Sequence, residues 1–314
     1  MTNMLTIRCK NNHSKISVPF GSSLYDVYQK TGLQMDFGPI AATVNNKVQG
    51  MNYRFYNNKD VLFLSLQSPS GMYTYSRTLF FVLAKAVEDL YPSAQLIIGD
   101  CVSRGFYCEL HTGETVTHQM VENIRRRMQE IIDADMPIRR IQCPIEEAIS
   151  MFQSKGMTSK VQLLESQNNL YTYYYQLDQT VDYFYGCLLT RTGLLHLFDL
   201  MPSYAGLPLR TPMLKNPALL EPLTPQDKML DVMREHRKWQ NILGIRTVGE
   251  FNQMVLKGES TQLINVSEAL QDKKLSNIAD EIAERGAKLV LIAGPSSSGK
   301  TTTAKRLAIL LMAC

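Results

Sequence analysis

The sequence predicts a multidomain α+β protein, and three observations carry that prediction. Residues 1–67 run hairpin, helix, then short strands, residues 68–210 mix apolar helices with paired strands, and residues 288–314 run strand, loop, helix around Gly294-Pro-Ser-Ser-Ser-Gly-Lys300-Thr301. Proline-broken and helical sequence over 211–287 bridges the last two parts.

In the first part, Leu5, Ile7 and Cys9 alternate, Asn11-Asn12-His13 supplies a turn, and Ile16 and Val18 alternate again, which predicts a hairpin. Ser22 or Ser23 caps a following helix through Leu24, Val27 and Tyr28, and Gly32 stands where a left-handed cap residue belongs. Ala41 to Val44, the turn Asn45-Asn46, Lys47 to Gln49 and Val61 to Leu66 complete a β-grasp pattern. In the second part the sequence predicts an apolar helix over Thr78 to Leu90, ended by Tyr91-Pro92, and a strand pair from Gln95 to Ile98 and Gly105 to Leu110. Thr117 caps a long helix whose apolar face is Val121, Ile124, Met128 and Ile131, so the run Arg125-Arg126-Arg127 reads as a solvated face rather than an RNA track. The odd-numbered recurrence in Tyr171, Tyr173, Tyr175, Tyr183 and Tyr185, with Tyr174 between them, is strand periodicity and reads as sheet packing.

Pro212, Pro217, Pro222 and Pro225 open the bridge, followed by helices expected over Gln226 to Leu243, which holds Trp239, then Val248 to Leu256 and Ser267 to Arg285. Leu289 to Ala293 then reads as a buried parallel strand, and Thr301 to Met312 as a helix. Between them lies the full phosphate-binding pattern G-x-x-x-x-G-K-[ST]. The cofactors expected there are ATP and Mg²⁺. Gly294, Ser296, Ser297, Ser298, Gly299 and Thr302 form the cradle, Lys300 reaches the phosphates, and the Thr301 hydroxyl ligates Mg²⁺.

Composition bounds the function classes. The 314 residues are 45% hydrophobic and 20% charged with a net charge of +4, which describes a soluble globular chain, allows weak attraction to polyanions and gives no argument for nucleic-acid binding, DNA included. No run of 18 apolar residues and no secretory leader occurs, so a cytoplasmic protein without a membrane partner is expected. Cysteines 9, 101, 108, 143, 187 and 314 are scattered with no C-x-x-C, which speaks against zinc or a disulfide framework. His13, His111, His118, His196 (in an expected strand) and His236 each lack a second ligand at metal-binding spacing.

Leu83 to Pro92, Ile97-Ile-Gly99 and Gly105-Phe-Tyr107, with Pro144 to Phe152 and Gly156 to Leu164, resemble the second additional domain of threonyl-tRNA synthetases. Residues 1–67 resemble the TGS domain that precedes it there. That family's editing site uses His-x-x-x-His and Cys-x-x-x-His, and the matching positions here are Arg77, Phe81, Phe184 and Leu188. Since none of these replaces imidazole or thiolate, no deacylation is expected.

The phosphate loop with its double threonine is similar to that of bacterial uridine kinases and phosphoribulokinases. The expected organisation is therefore a TGS-like domain (1–67), a synthetase editing-domain-like α/β domain (68–210), a helical connector (211–287) and the start of a P-loop kinase domain (288–314). The leading expectation is the N-terminal fragment of a nucleoside kinase, itself inactive. ATP is the phosphoryl donor, a nucleoside hydroxyl the acceptor, and the catalytic acid lies beyond Cys314. The alternative expectation is an RNA- or nucleotide-sensing binding protein in which the phosphate loop is a switch. In both, the end of the chain is expected to be poorly ordered or opportunistically packed, because the strand 289–293 lacks neighbours.

Overall fold

The computed structural model describes residues 4–102, 105–202, 206–222, 224 and 226–313, so Pro225 and Cys314 lie outside the described residues. It is a mixed α+β architecture with several sheets, divided into two compact units: residues 1–148 with 170–230, and residues 149–169 with 231–314.

The first unit begins with β1 (Met4–Cys9) and β2 (Lys15–Pro19), antiparallel in a register that sets Leu5 opposite Val18 and Ile7 opposite Ile16. Alternation therefore places Ile7, Cys9, Ile16 and Val18 on one buried face. Next come α1 (Leu24–Thr31), β3 (Ala41–Val44), β4 (Lys47–Gln49) and β5 (Lys59–Leu64), giving the sheet order β2-β1-β5-β3-β4 with β1 and β5 parallel. Helix α1 starts where Ser23 and Asp26 close a reciprocal capping box and stops where Gly32 turns left-handed at φ 68°. It buries Leu24 and Val27 against the sheet with Phe55 and Phe63, each such side chain contributing about 1.5–3 kcal/mol.

Helix α2 (Pro69–Leu90) is longer than the apolar pattern from Thr78 implied. Ser68 accepts from the Gly71 amide and Pro69 takes the first helical position, so nine residues, about two and a half turns, are added in front of the apolar stretch. Strands β6 (Gln95–Val102) and β7 (Gly105–His111) pair antiparallel, and α3 (His118–Asp133), capped by Thr117, buries Val121, Ile124, Met128, Ile131 and Ile132. β8 (Ile138–Pro144) leads in sequence to α4 (Ile145–Ser154) and α5 (Thr158–Glu165), then to β9 (Tyr171–Leu177) and β10 (Thr180–Asp182). β10, β9 and β8 form one sheet, while β11 (Asp199–Leu200) and β12 (Leu207–Arg210) join β7 and β6 in another. Helices α2 and α3 share one apolar core with residues from both sheets.

Two straps bind this core together through side chains in the middle of α2. Tyr75, fully buried, accepts at its hydroxyl from the amides of His196 and Leu197 and donates to the Leu197 carbonyl, each at 2.9 Å. The expected strand at His196 is thereby corrected to irregular backbone tied to a helix, with the imidazole stacked on Phe37 at 4.1 Å. The second strap is Thr78, whose hydroxyl donates to Thr74 O and accepts from the Leu189 amide at 2.9 Å.

The second unit holds α5 and most of α6 (Asp227–Leu243), with α7 (Val248–Leu256), α8 (Ser260–Glu284) and α9 (Lys300–Leu311). Helices α5 and α7 pack so closely that a Cβ on Gly249 would stand 2.8 Å from the Leu163 amide nitrogen, and Asn252 donates to Ser166. Helix α9 lies along α8, with Leu307 buried and Arg306 paired to Asp272. The strand expected over Leu289 to Ala293 does not form. Those residues are irregular and their apolar side chains exposed, Leu289 by 76% and Leu291 by 84%, and among the described residues no strand pairs with them. Among the described residues, no helix is long and apolar enough to cross a membrane, and no group of three His, Cys, Asp or Glu is placed to hold a metal.

Candidate functional sites

The first candidate is a cleft of about 350 Å³ in the first unit, between residues 48–53 and the β8–β9 sheet, floored by the segment Gly186 to Thr190. The pairing of β8 with β9 builds its wall. Ile138 stands opposite Leu177, Arg140 opposite Tyr175, and Gln142 opposite Tyr173, so alternate residues of both strands share one face. That face changes character along its length, from Ile138, Leu177 and Tyr175 in the core to Arg140, Gln142 and Tyr173 facing the cleft.

Arg140 is exposed and lies with its guanidinium carbon 3.8 Å from the centre of the Tyr173 ring, a cation–π contact. Tyr173 is itself stacked on Tyr183 at 5.9 Å. The cleft floor is pinned from both sides: the Tyr175 hydroxyl donates to the Gly186 carbonyl at 3.0 Å, and the Tyr173 hydroxyl accepts from the Gly186 amide. Burial pushes the Tyr175 phenol well above its ordinary range, so it remains a donor at every physiological pH.

Gly186 adopts φ 120°, and a Cβ there would stand 2.6 Å from Arg77 Nη1, so only glycine lets the floor close over that guanidinium. Arg77 donates through Nη1 to the Tyr185 carbonyl and through Nη2 to Thr74 Oγ1, while its buried Nε has no partner. Among the described residues neither Arg77 nor Arg140 forms an ion pair. Among the described residues the cleft wall carries three amides, Gln49, Asn52 and Gln142, and no carboxylate or imidazole. Such a lining has the hydrogen-bonding chemistry to meet anions and planar polar groups, and it holds no carboxylate or imidazole that could act as a general base among the described residues.

The four positions matched to an editing site do converge. Phe81, fully buried, meets Phe184 edge to face at 5.4 Å, Leu188 joins the same core, and Arg77 reaches the backbone at Tyr185. Cys187, one residue from a matched position, lines the cleft with Sγ 3.4 Å from Thr74 Oγ1.

The second candidate is the loop 294–301. Ser297 (φ 62°) and Gly299 (φ 79°) are left-handed, and Gly299 opens α9, so Lys300, Thr301 and Thr302 lie in the first helical turn. Gly294 is packed tightly, since a Cβ there would stand 2.9 Å from Ser298 Oγ. The Lys300 ammonium donates to the Pro295 carbonyl across the loop, and Ser296 lies in the exposed turn.

No family model matches the chain. Curated relatives do. It is 29% identical to the threonine--tRNA ligase of Clostridium kluyveri over 177 residues, covering 56% of this chain and 28% of the ligase. It is 29% identical to that of Syntrophomonas wolfei over 259 residues (78% of this chain, 40% of the ligase) and 31% identical to that of Acetivibrio thermocellus over 169 (53% and 26%). The chain carries a threonyl-tRNA synthetase-like module. It spans between about a quarter and two fifths of the length of these ligases.

This relation overturns the expectation of a nucleoside kinase with a nucleoside as substrate: the relatives are ligases named for tRNA.

Of the residues that line the cleft, sequence reading reached the tyrosines, assigning them to sheet packing, and Cys187, as a neighbour of a matched position. It missed Arg140, Gln142, Gln49 and Asn52. The alternation of Arg140 and Gln142 was the available signal, and it acquires meaning only once β8 is paired with a strand whose facing residues lie about 30 positions later.

Proposed function

We propose that the chain is an RNA-binding protein in which synthetase-like modules hold a tRNA-type RNA, and in which the loop 294–301 binds a nucleotide and serves as a switch. The observation that carries this reading is the relation to threonine--tRNA ligases, which in one case covers 78% of the chain. The cleft supports it, being cationic, aromatic and free of carboxylates, as a surface for stacked bases and phosphates must be. Within this reading residues 1–67 are a TGS-like β-grasp module, 68–210 the synthetase-like module, 211–287 a helical connector and 288–314 the nucleotide-loop segment of a cytoplasmic protein.

The loop residues suit a phosphate. Ser297 and Gly299 are left-handed, a 12-residue helix starts directly behind them with its N-terminus at the loop, and the Lys300 ammonium lies across the loop at the Pro295 carbonyl. Ser296 to Gly299 would cradle ATP phosphates, with Gly294 and Thr302 bordering them, Lys300 would exchange the Pro295 carbonyl for phosphate oxygens, and the Thr301 hydroxyl would hold Mg²⁺. The ion would supply charge neutralisation.

Fluorescence anisotropy of labelled tRNA with the full chain tests the reading across a salt series. Binding that weakens log-linearly with salt supports it, and absence of binding at low salt overturns it. In parallel, ATP is expected to bind the full chain and to bind Lys300→Ala at least roughly tenfold more weakly.

A further inference from the structure

The structure assigns the cleft of the first unit to a nucleotide phosphate, with Arg140 as the anchoring residue. The cleft's electrostatics select an anion. Arg140 is the only charged side chain on its wall, Arg77 adds a second positive charge directly behind Gly186, and neither has a carboxylate partner among the described residues. A guanidinium normally has its N–H groups satisfied, so the buried Arg77 Nε without an acceptor marks a place where positive charge is left uncompensated by the fold.

The geometry selects a phosphate carried by a base. The contact with Tyr173 holds the Arg140 guanidinium carbon 3.8 Å from the ring centre, and no carboxylate takes its N–H groups among the described residues, so they are available to form parallel bonds to two oxygens, the fork that phosphates accept. Gln49, Asn52 and Gln142 each present a donor and an acceptor on one group, the pairing that reads a nucleobase edge. A volume of about 350 Å³ lies in the range of small-ligand pockets. The phosphate could arrive on a free mononucleotide or on a nucleotide of an RNA strand. The RNA source rests on the function proposed above, whereas the phosphate preference rests on the cleft alone.

Isothermal titration of the full chain, in a Lys300→Ala background so that the second unit's loop is removed from the comparison, tests this with 5′-AMP, adenosine, inorganic phosphate and a short single-stranded RNA. AMP is expected to bind at least roughly tenfold more tightly than adenosine, and Arg140→Gln to lose at least that factor for AMP and RNA alike. Arg140→Lys, which keeps charge but not the fork, should fall between. Because Arg140 is exposed and loses only a surface cation–π contact, the thermal midpoint should fall by no more than about 4 °C, separating lost binding from lost folding. Equal affinity for AMP and adenosine, or an unaltered Arg140→Gln titration, overturns the assignment. Tighter binding of the RNA than of AMP identifies the strand as source, and equal binding identifies the free nucleotide. Should tRNA binding persist while the cleft titrations fail, this inference falls alone. Should AMP depend on Arg140 while tRNA does not bind, the phosphate site stands and the RNA-binding function falls.

Discussion

Replacing Thr78 by valine removes one buried hydroxyl beneath the floor of the cleft without changing the shape of the side chain. Thr78 is fully buried in α2, and its hydroxyl is the acceptor for the amide of Leu189, a residue 2% exposed that lines the cleft. The Thr74 carbonyl also loses a donor, but it retains its helical position one turn earlier in α2, so the amide dominates the cost. An unsatisfied buried N–H costs about 1–3 kcal/mol. At about 2–4 °C per kcal/mol for a domain of this size, the central expectation is a fall of roughly 4–8 °C in thermal midpoint. Thr78→Ser keeps the oxygen and loses only a methyl, a cost of about 1 kcal/mol. Urea unfolding followed by circular dichroism, with calorimetry on the same samples, measures both. A valine variant within about 0.5 kcal/mol of the parent, or a serine variant less stable than the valine one, would refute the claim that this bond pins the floor.

Tyr75→Phe leaves the amides of His196 and Leu197 without their acceptor and should cost about 2–4 kcal/mol by the same urea assay; a loss below about 1 kcal/mol would mean that water replaces the hydroxyl. Burial raises Cys108 from 9.0 to about 12 and Tyr75 from 10.0 to about 12. The unfolded chain releases these protons first, so their contribution is intact below pH about 9 and falls as pH rises toward 12, by roughly 1.4 kcal/mol per unit for each group; Cys108→Ala should flatten the first part of that decline. Asp26 moves the other way, held below 3.8 by the Ser23 amide and hydroxyl, so its stabilisation is present above pH about 4 and fades on acidification; Ser23→Ala should cost about 1 kcal/mol at neutral pH and weaken that acid dependence. Gly186→Ala would force a Cβ onto the Arg77 guanidinium at a φ unsuited to alanine, and should destabilise by about 1–3 kcal/mol, read as a thermal shift.

The small sheet was legible because its signals are local. The hairpin register follows from the alternation of Leu5, Ile7, Ile16 and Val18, and the ends of α1 follow from Ser23 and Gly32. Asn45 and Asn46 adopt the left-handed backbone that their turn requires. The start of α2 was misjudged because an apolar pattern reports burial, whereas the helix begins at a cap and a proline nine residues earlier in polar sequence. The strand expected at 289–293 shows the reverse error: β-branched apolar composition states a preference, but a strand exists only with a partner to pair with, and none is provided among the described residues. The phosphate loop was legible as a motif, and with the likeness to uridine kinases it led to a nucleoside-kinase reading that the relation to threonine--tRNA ligases overturns. The cleft was not legible, since it arises where residues 48–53, 138–142, 173–175 and 186–190 meet and each segment separately reads as ordinary packing.

The measurement that tests the central claim most directly is the affinity of the full chain for tRNA as a function of salt, for the parent protein and Arg140→Gln side by side. RNA binding through the cleft predicts a log-linear loss of affinity with salt in the parent, with weaker binding and a slope reduced by about one phosphate contact in the variant. Absence of tRNA binding by the parent at low salt would contradict the account.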